Sequence, residues 1–255
     1  MKKLLINAIG IGVWAAALSA LAGTQFAAET VQTTAQGQVT NGKLFFGDNR
    51  VRTEGAQDGQ QFVQISDSAN GVSYMILPGQ RSYMEMRMPG TAPLPQGKPA
   101  DPCAGLQGVT CRKVGSEAIG GRAATRWELS SSAGGQTRSM TQWIDDERGT
   151  PLRVQSSDGS ATESKLLAKE QHEGRAVEKW ETTVTRAGQQ PVSSLQWLDP
   201  ELGVPVRGKA PDGSSFELRG IRVGPQVAEL FTVPAGYQKL APPQQAQPGG
   251  APPPR

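Results

Sequence analysis

Two short acidic segments contain the residues best suited to acid–base chemistry. Asp145, Asp146 and Glu147 form the first, and Asp199 and Glu201 form the second, 54 residues later. A pair of carboxylates can serve as the acid and base of a glycosidase. Both segments are followed by a glycine, and an Asp in such a turn commonly accepts hydrogen bonds from its own backbone. We therefore interpret these acids as turn residues, with a hydrolase site as the alternative.

Other catalytic constellations lack the residues they need. His172 is the only histidine, so a Ser-His-Asp triad would depend on it. It lies in a polar stretch between Glu170 and Glu173, which predicts a solvated surface position. A single histidine does not supply a zinc site, and no Gly-rich loop links a strand to a helix as nucleotide binding requires. The sequence therefore predicts no catalytic residue, no metal, no cofactor and no enzymatic activity.

Tryptophans form the first group of apolar candidates. Trp127, Trp143, Trp180 and Trp197 occur at matched positions of a repeated segment. An exposed row of tryptophans could stack on sugars or lipids. Their repetition at matched positions favours large anchors in the core, which is the interpretation we adopt.

Tyrosines and methionines form the second group, in two neighbouring segments that alternate like strands. A surface rich in methionine adapts to apolar ligands of different shape. Core filling is the simpler explanation, and a groove lined for a lipid would have the same composition. The residues predicted to contact a hydrophobic ligand are Phe46, Tyr74, Met75, Tyr83, Met84 and Met86.

The elements that position these side chains are predicted to be strands. Residues 29–88 alternate in the strand manner, and turn pairs such as Asn41-Gly42 and Asn70-Gly71 interrupt them, which predicts a β-meander. Residues 89–111 form a Pro/Gly-rich connection. It contains Cys103 and Cys111, the only cysteines, which we predict to form a disulfide because an even pair is typical of exported chains.

The second half, residues 112–240, contains an internal duplication. The offset is 53 residues at the first Trp and 54 from the second Trp onward. Each copy predicts a unit of short strands separated by glycine turns. Residues 163–173 are rich in helix formers, but the duplication favours a strand there. The matched segments are Trp127-Glu128 with Trp180-Glu181, Gln142-Trp143-Ile144-Asp145 with Gln196-Trp197-Leu198-Asp199, Pro151-Leu152-Arg153 with Pro205-Val206-Arg207, and Asp158-Gly159-Ser160 with Asp212-Gly213-Ser214.

The two ends of the chain have their own signatures. Residues 1–28 combine Lys2 and Lys3 with a long apolar stretch, and small residues at Ala20-Leu21-Ala22 or Ala27-Ala28 suit cleavage, which predicts a signal peptide and a periplasmic protein. A retained membrane anchor is the alternative. Removing both lysines lowers the formal charge from +3 to +1, which argues against nucleic-acid binding. Residues 241–255, rich in Pro and Gln, are predicted to be a disordered tail after a single β domain at 29–240.

Three segments resemble periplasmic proteins with a DUF4412-type domain. They are Lys43 to Arg52, Tyr74 to Glu85, and Leu230 to Tyr237. Those domains are thought to be distantly similar to the lipoprotein carriers LolA and LolB and to the N-terminal part of RseB. The resemblance implies a mainly β fold with few short helices, a curved antiparallel sheet forming an unclosed β-barrel, a hydrophobic concave face and no catalytic residues. The duplication and the Cys103–Cys111 insert depart from that pattern.

Two functional hypotheses follow from these features. The first is a binding or carrier module that buries a hydrophobic ligand, such as an acyl chain, a lipid, a lipopeptide or a lipoprotein, in a preformed cleft. The second is a structural or sensory module that offers strand edges or a Trp-bearing surface to an envelope protein. Neither hypothesis involves a cofactor, nucleic acid or a stable membrane span after signal cleavage.

Overall fold

A computed structural model describes residues 24–87, 102–103, 107–133 and 136–241. Most of the predicted signal peptide, most of the Pro/Gly-rich connection and most of the predicted tail lie outside the described residues. The strands are β1 (Phe26–Thr33), β2 (Val39–Gly47), β3 (Arg50–Gln57), β4 (Gln60–Asp67), β5 (Val72–Leu77), β6 (Ser82–Arg87), β7 (Val109–Ile119), β8 (Arg122–Ala133), β9 (Gln136–Asp145), β10 (Pro151–Ser156), β11 (Ala161–His172), β12 (Arg175–Thr185), β13 (Val192–Asp199), β14 (Val204–Lys209), β15 (Ser215–Val223) and β16 (Gln238–Leu240).

All sixteen strands described belong to one sheet, in the order β16-β6-β5-β4-β3-β2-β1-β15-β14-β13-β12-β11-β10-β9-β8-β7. Neighbouring strands are antiparallel except β16 and β6, which are parallel. The sheet has two free ends, so it is open. The helical elements of the described residues are two short 3₁₀ turns, at Pro78–Gln80 and Ala228–Phe231. The predicted fold class, mainly β with an unclosed antiparallel sheet and few short helices, is confirmed.

The N-terminal half contains a meander in which β2 to β6 are joined by tight turns. The turn predicted at Asn41-Gly42 is wrong, because both residues lie inside β2 and pair with β1. Asn49 and Asp58 adopt positive φ angles of 54° and 51° in two of these turns, a conformation that Asn and Asp tolerate better than most residues. β1 precedes the meander and begins at Phe26, inside the range predicted for the signal peptide. Phe26 and Ala28 are both buried in the core.

The duplicated half is also built of strands. Residues 161–172 form β11, so the strand expected from the duplication is confirmed and the helical alternative is wrong. Cys103 and Cys111 are bonded, with Cα atoms 6.0 Å apart, at the entry to β7, which supports the predicted disulfide.

The sheet curls strongly in this half. β11 and β15 are separated by three strands in the sheet, yet the tip of the β11–β12 hairpin reaches β15. The Glu173 carboxylate accepts the Gly220 N–H at 2.8 Å, and the His172 ring nitrogen lies 3.2 Å from the Leu218 carbonyl oxygen. The His172 side chain is 11% exposed and lies beside Glu217. The expected solvated surface position of His172 is therefore wrong, because the curl brings β15 over it.

The buried side chains of the described residues form three hydrophobic clusters. The first includes residues of β1, β2 and β12 to β15, the second lies on β4 and β5 with the 3₁₀ turn at Ala228–Phe231, and the third lies on β7 to β10. The core therefore follows the curled sheet in separate patches. This arrangement leaves other parts of the sheet surface without a packed partner layer.

Candidate functional site

The meander presents different surfaces on its two sides. On one side, Val63, Ile65 and Ile76 are buried together with Phe231 of the C-terminal segment. Tyr74 and Tyr83 lie on the same side, with ring centroids 6.2 Å apart, and pack against this cluster. Residues 230–237 thus cover this side of the meander.

The covering segment is fixed by specific contacts. The Phe231 ring lies against Gly47, where an added Cβ would be only 2.7 Å from the ring, and the Arg50 guanidinium stands 5.0 Å from the ring centroid. Arg52 Nη1 donates to the Leu230 carbonyl oxygen at 2.8 Å. Close packing and a charge-assisted hydrogen bond both hold the segment in place. This side of the meander is therefore closed.

The other side carries an apolar surface, here called the Met face. It consists of Phe62, Met75, Leu77, Met84 and Met86. Met75 stands directly opposite Met84 across β5 and β6, and Gln64 of β4 is the next neighbour of Met75. Met86 is 38% exposed and the other four side chains are half-buried. None of the five belongs to the three clusters formed by the described residues.

The structure divides the six predicted ligand contacts. Met75, Met84 and Met86 lie together on the Met face, whereas Tyr74 and Tyr83 lie on the closed side. Phe46 is buried in the first cluster and stacks on Phe26, with ring centroids 5.4 Å apart. Phe46 shares the side of the methionines by cross-strand register but lies on β2, away from them, so only the three methionines are adjacent on the partly exposed surface.

Sequence reasoning missed two apolar members of the Met face and the polar residues on the same side, which include Gln64, Ser66, Ser73 and Ser82. Phe62 and Leu77 share the face by the two-residue period of their strands. Ser73 stands opposite Met86, and Ser82 stands opposite Leu77. Counting alternate residues from Met75 and Met84 would have found them, because strand side chains alternate strictly between the two faces.

The acidic segments of the duplication form two matching turns, each capped by an Asp side chain and bridged by an Arg. Asp199 is buried, and its Oδ1 accepts the backbone N–H groups of Glu201 and Leu202 at 2.9 and 3.0 Å. Arg175 donates through Nε to the other oxygen of Asp199 and through Nη2 to Glu201 at 2.8 Å. The N–H of Gly203 donates to the Asp199 carbonyl oxygen and completes the turn. The Asp side chain caps its own turn, as predicted.

The first copy repeats this geometry. Asp145 accepts the N–H groups of Glu147 and Arg148 at 2.8 and 3.2 Å, and Arg122 bridges Asp145 and Glu147. Burial alone would raise the pKa of the Asp145 carboxyl, but the bonds from Arg122 and the two backbone N–H groups outweigh it and hold that pKa below its ordinary value. Asp145 is therefore held ionised and engaged, which suits a structural turn better than a general acid.

Trp143 and Trp197 are covered by charged side chains. Both are buried, and each indole N–H donates to a carboxylate, that of Glu117 for Trp143 and that of Glu170 for Trp197. Cations also lie over each ring, among them Arg153 over Trp143 at 5.4 Å from the centroid. The other cations that lie over these two rings are Arg126 over Trp143, and Lys179 and Arg207 over Trp197.

Trp127 and Trp180 are half-buried, and Trp180 packs against the third cluster. Cation–π contact and burial together anchor Trp143 and Trp197 in place. Their rings are not available as a stacking row for a sugar or a lipid. The core interpretation holds for the second Trp of each copy and in part for the first.

Two surface depressions occur in the duplicated half, and both are lined mainly by charged and polar residues. Neither contains a predicted ligand contact. The described residues include no group of three or more His, Cys, Asp or Glu placed to hold a metal ion. The first depression, of about 480 Å³, is lined by Arg153, Gln155, Ala161, Glu163, Lys165, Glu181, Thr183 and Thr185, and the second, of about 430 Å³, by Gly121, Arg122, Ala123, Asp145, Asp146 and Glu147.

Comparison with known proteins finds similarity among solved structures alone. No protein-family model and no curated protein matches the chain, so the DUF4412-type resemblance has no support from a family model. A LolA superfamily protein from Nitrosomonas europaea is 11% identical over 82% of this chain and 90% of its own, with a TM-score of 0.37. A putative outer membrane lipoprotein-sorting protein domain from Vibrio parahaemolyticus is 14% identical over 81% and 88%, with a TM-score of 0.34.

MucB in complex with MucA from Pseudomonas aeruginosa is 14% identical over 82% of this chain and 95% of that chain, with a TM-score of 0.24. Identities and TM-scores this low do not assign the chain to a family. Within the described ranges, no helix has the length and hydropathy of a membrane span.

Proposed function

We propose that this protein is a periplasmic, non-enzymatic binding module that holds a hydrophobic ligand against the Met face. The observation that carries the proposal is the asymmetry of the meander. The C-terminal segment closes the side of Tyr74 and Tyr83, while the side of Met75, Met84 and Met86 stays partly exposed. A contiguous exposed apolar patch is characteristic of an interaction site.

The chemistry of the Met face suits an acyl chain. Methionine side chains are unbranched and polarizable, so they adjust to a flexible ligand. Each methylene of a chain that leaves water contributes about 0.8 kcal/mol. The side chains of β4, β5 and β6 on this face include no charged group. Apolar burial would therefore dominate binding, with few polar contacts.

The test is binding of a fluorescent fatty acid to delipidated protein, with a matched pair of variants. Met86 on the Met face and Met140 of β9 are both 38% exposed. Met86→Glu places a charge in the proposed site and is expected to weaken binding at least tenfold. Met140→Glu makes the same change at equal exposure elsewhere and is expected to leave binding unchanged. Absence of binding by the wild-type protein, or equal weakening by both variants, would refute the proposal.

A second candidate is protein interaction through the free edge of the sheet. β7 is eleven residues long, forms one end of the sheet, and exposes most of its side chains. Such an edge can pair with a strand of an envelope protein. A photo-crosslinking residue at the exposed Lys113 that captures one defined protein, in a chain that binds no fatty acid, would favour this candidate.

A further inference from the structure

The Met face contains two buried hydroxyl groups that have no hydrogen-bond partner. Ser73 and Ser82 are each 4% exposed, and the structure provides no partner for either Oγ. Most buried polar side-chain atoms are hydrogen-bonded, since an unpaired one is destabilising. The other two unpartnered buried side-chain atoms of the described residues are Arg126 Nε and Arg148 Nε, in the duplicated half. The meander thus carries both of the unpaired hydroxyls.

Both hydroxyls point to the same side as the methionines. Ser73 pairs with Met86, and Ser82 pairs with Leu77, with the Met75–Met84 pair between them. The separation from Ser73 to Leu77 on β5 is four residues, or about 14 Å along the strand. The two hydroxyls therefore stand at opposite ends of the apolar patch that we propose as the binding site.

The chemistry around the hydroxyls restricts what could pair with them. A serine hydroxyl donates one hydrogen bond, and a plain hydrocarbon offers no acceptor. A carboxylate is a strong acceptor, but removing it from water requires a compensating positive charge. The strands that carry the Met face place no charged side chain on this side, so a neutral acceptor fits best. An ester or amide carbonyl attached to a long chain has these properties.

We propose that the ligand of the Met face is a neutral acyl lipid, one ester or amide carbonyl oxygen of which accepts a hydrogen bond from Ser73 or from Ser82, since the carbonyls of one lipid lie too close together to reach both hydroxyls. This inference rests on the proposed function and specifies its ligand class. Methionine has three rotatable side-chain bonds, so Met86 and Met84 can turn aside and admit the carbonyl groups. The apolar chains then cover the methionines, while the hydroxyl at the headgroup end gains the partner that it lacks.

The experiment compares two lipids that differ only in the acceptor. Dimyristoylglycerol carries two ester carbonyls, and its dialkyl ether analogue keeps the same chain length without them. Each lipid competes for the wild-type protein with a fluorescent fatty acid, whose chain covers the Met face while its carboxylate stays in water. One neutral hydrogen bond corresponds to about a fivefold change in affinity. We expect the ester to bind at least fivefold more tightly than the ether.

Serine variants show which hydroxyl causes the preference for the ester over the ether. One of the two variants Ser73→Ala and Ser82→Ala is expected to weaken ester binding about fivefold, the other is expected to leave it unchanged, and neither is expected to change ether binding. The double variant is expected to bind both lipids equally. Ser164→Ala is the control, because the Ser164 hydroxyl is paired with Thr182 at 3.1 Å in another part of the sheet. It is expected to keep the wild-type preference.

The outcomes separate this inference from the proposed function. Equal binding of ester and ether by the wild-type protein overturns the role of the hydroxyls and leaves hydrophobic binding intact. Failure of both lipids and the fluorescent fatty acid to bind overturns both proposals. Thermal unfolding gives an independent check, since Ser→Ala removes an unpartnered hydroxyl and leaves a methyl side chain, which is expected to keep or raise the Tm. A clear fall in the Tm of Ser73→Ala and Ser82→Ala would contradict their unpaired state.

Discussion

Replacing Asp199 with Ala is expected to lower the free energy of unfolding by about 3–5 kcal/mol. The Asp199 side chain is 1% exposed and accepts three hydrogen bonds, one from Arg175 and two from the backbone N–H groups of Glu201 and Leu202. Hydrogen bonds to a charged group contribute about 1.5–3 kcal/mol each. The expected loss of unfolding free energy is smaller than the sum of the three hydrogen bonds, because the Arg175 side chain keeps its bond to Glu201 and is in contact with water.

Glu201→Ala is the matched control, because Glu201 binds the same Arg175 but its side chain is 75% exposed. Exposed ion pairs contribute about 0–1 kcal/mol, so this variant is expected to remain close to wild type. Asp145→Ala removes the equivalent group of the first copy and is expected to match Asp199→Ala within about 1 kcal/mol. The assay is urea unfolding followed by tryptophan fluorescence. Similar losses for Glu201→Ala and Asp199→Ala would refute the assignment of Asp199 as the buried cap.

Two further predictions concern pH and processing. The folded-state pKa of Asp145 lies below its ordinary value, so its stabilisation is fully present above the unfolded pKa of about 3.9 and is lost as the pH falls through the folded value. The urea midpoint of wild type should therefore fall more steeply below about pH 4 than that of Asp145→Asn, and parallel curves would contradict this. Signal cleavage is expected after Ala22, because cleavage after Ala28 would remove the buried Phe26 from β1. Mass spectrometry of the exported protein checks this, and a mature chain that begins at Glu29 would refute it.

Local sequence pattern predicted the strands, the turns and the acidic caps of the duplicated half. The reason is that these features depend on residues close in sequence, such as Asp199 and the two N–H groups that follow it. Repetition strengthened the prediction, since each copy confirmed the spacing of the other. The same logic decided for a strand in residues 161–172, where helix propensity alone pointed the other way.

Long-range contacts explain what the pattern could not show. Tyr74 and Met75 are adjacent, so they must lie on opposite faces, but alternation does not indicate which face the protein covers. The C-terminal segment decides this through the bond between Arg52 and Leu230, residues 178 positions apart. His172 was placed wrongly for the same reason, because β15 approaches it only after the sheet has curled.

The two halves of the chain differ in their unpaired buried groups, which are hydroxyls in the meander and single arginine nitrogens, Arg126 Nε and Arg148 Nε, in the duplicated half. In the duplicated half, the buried carboxylate of Asp199 is neutralised by Arg175, and the Trp197 ring is covered by cations and paired through its N–H. In the meander, Met86 stays partly exposed while the buried hydroxyls of Ser73 and Ser82 are left unpaired. Each of these departures reduces stability, and natural proteins concentrate such departures at functional sites. The exposed Met86 and the unpaired hydroxyls of Ser73 and Ser82 all lie on one face of two adjacent strands. The Met face is therefore the part of the chain best explained by a ligand.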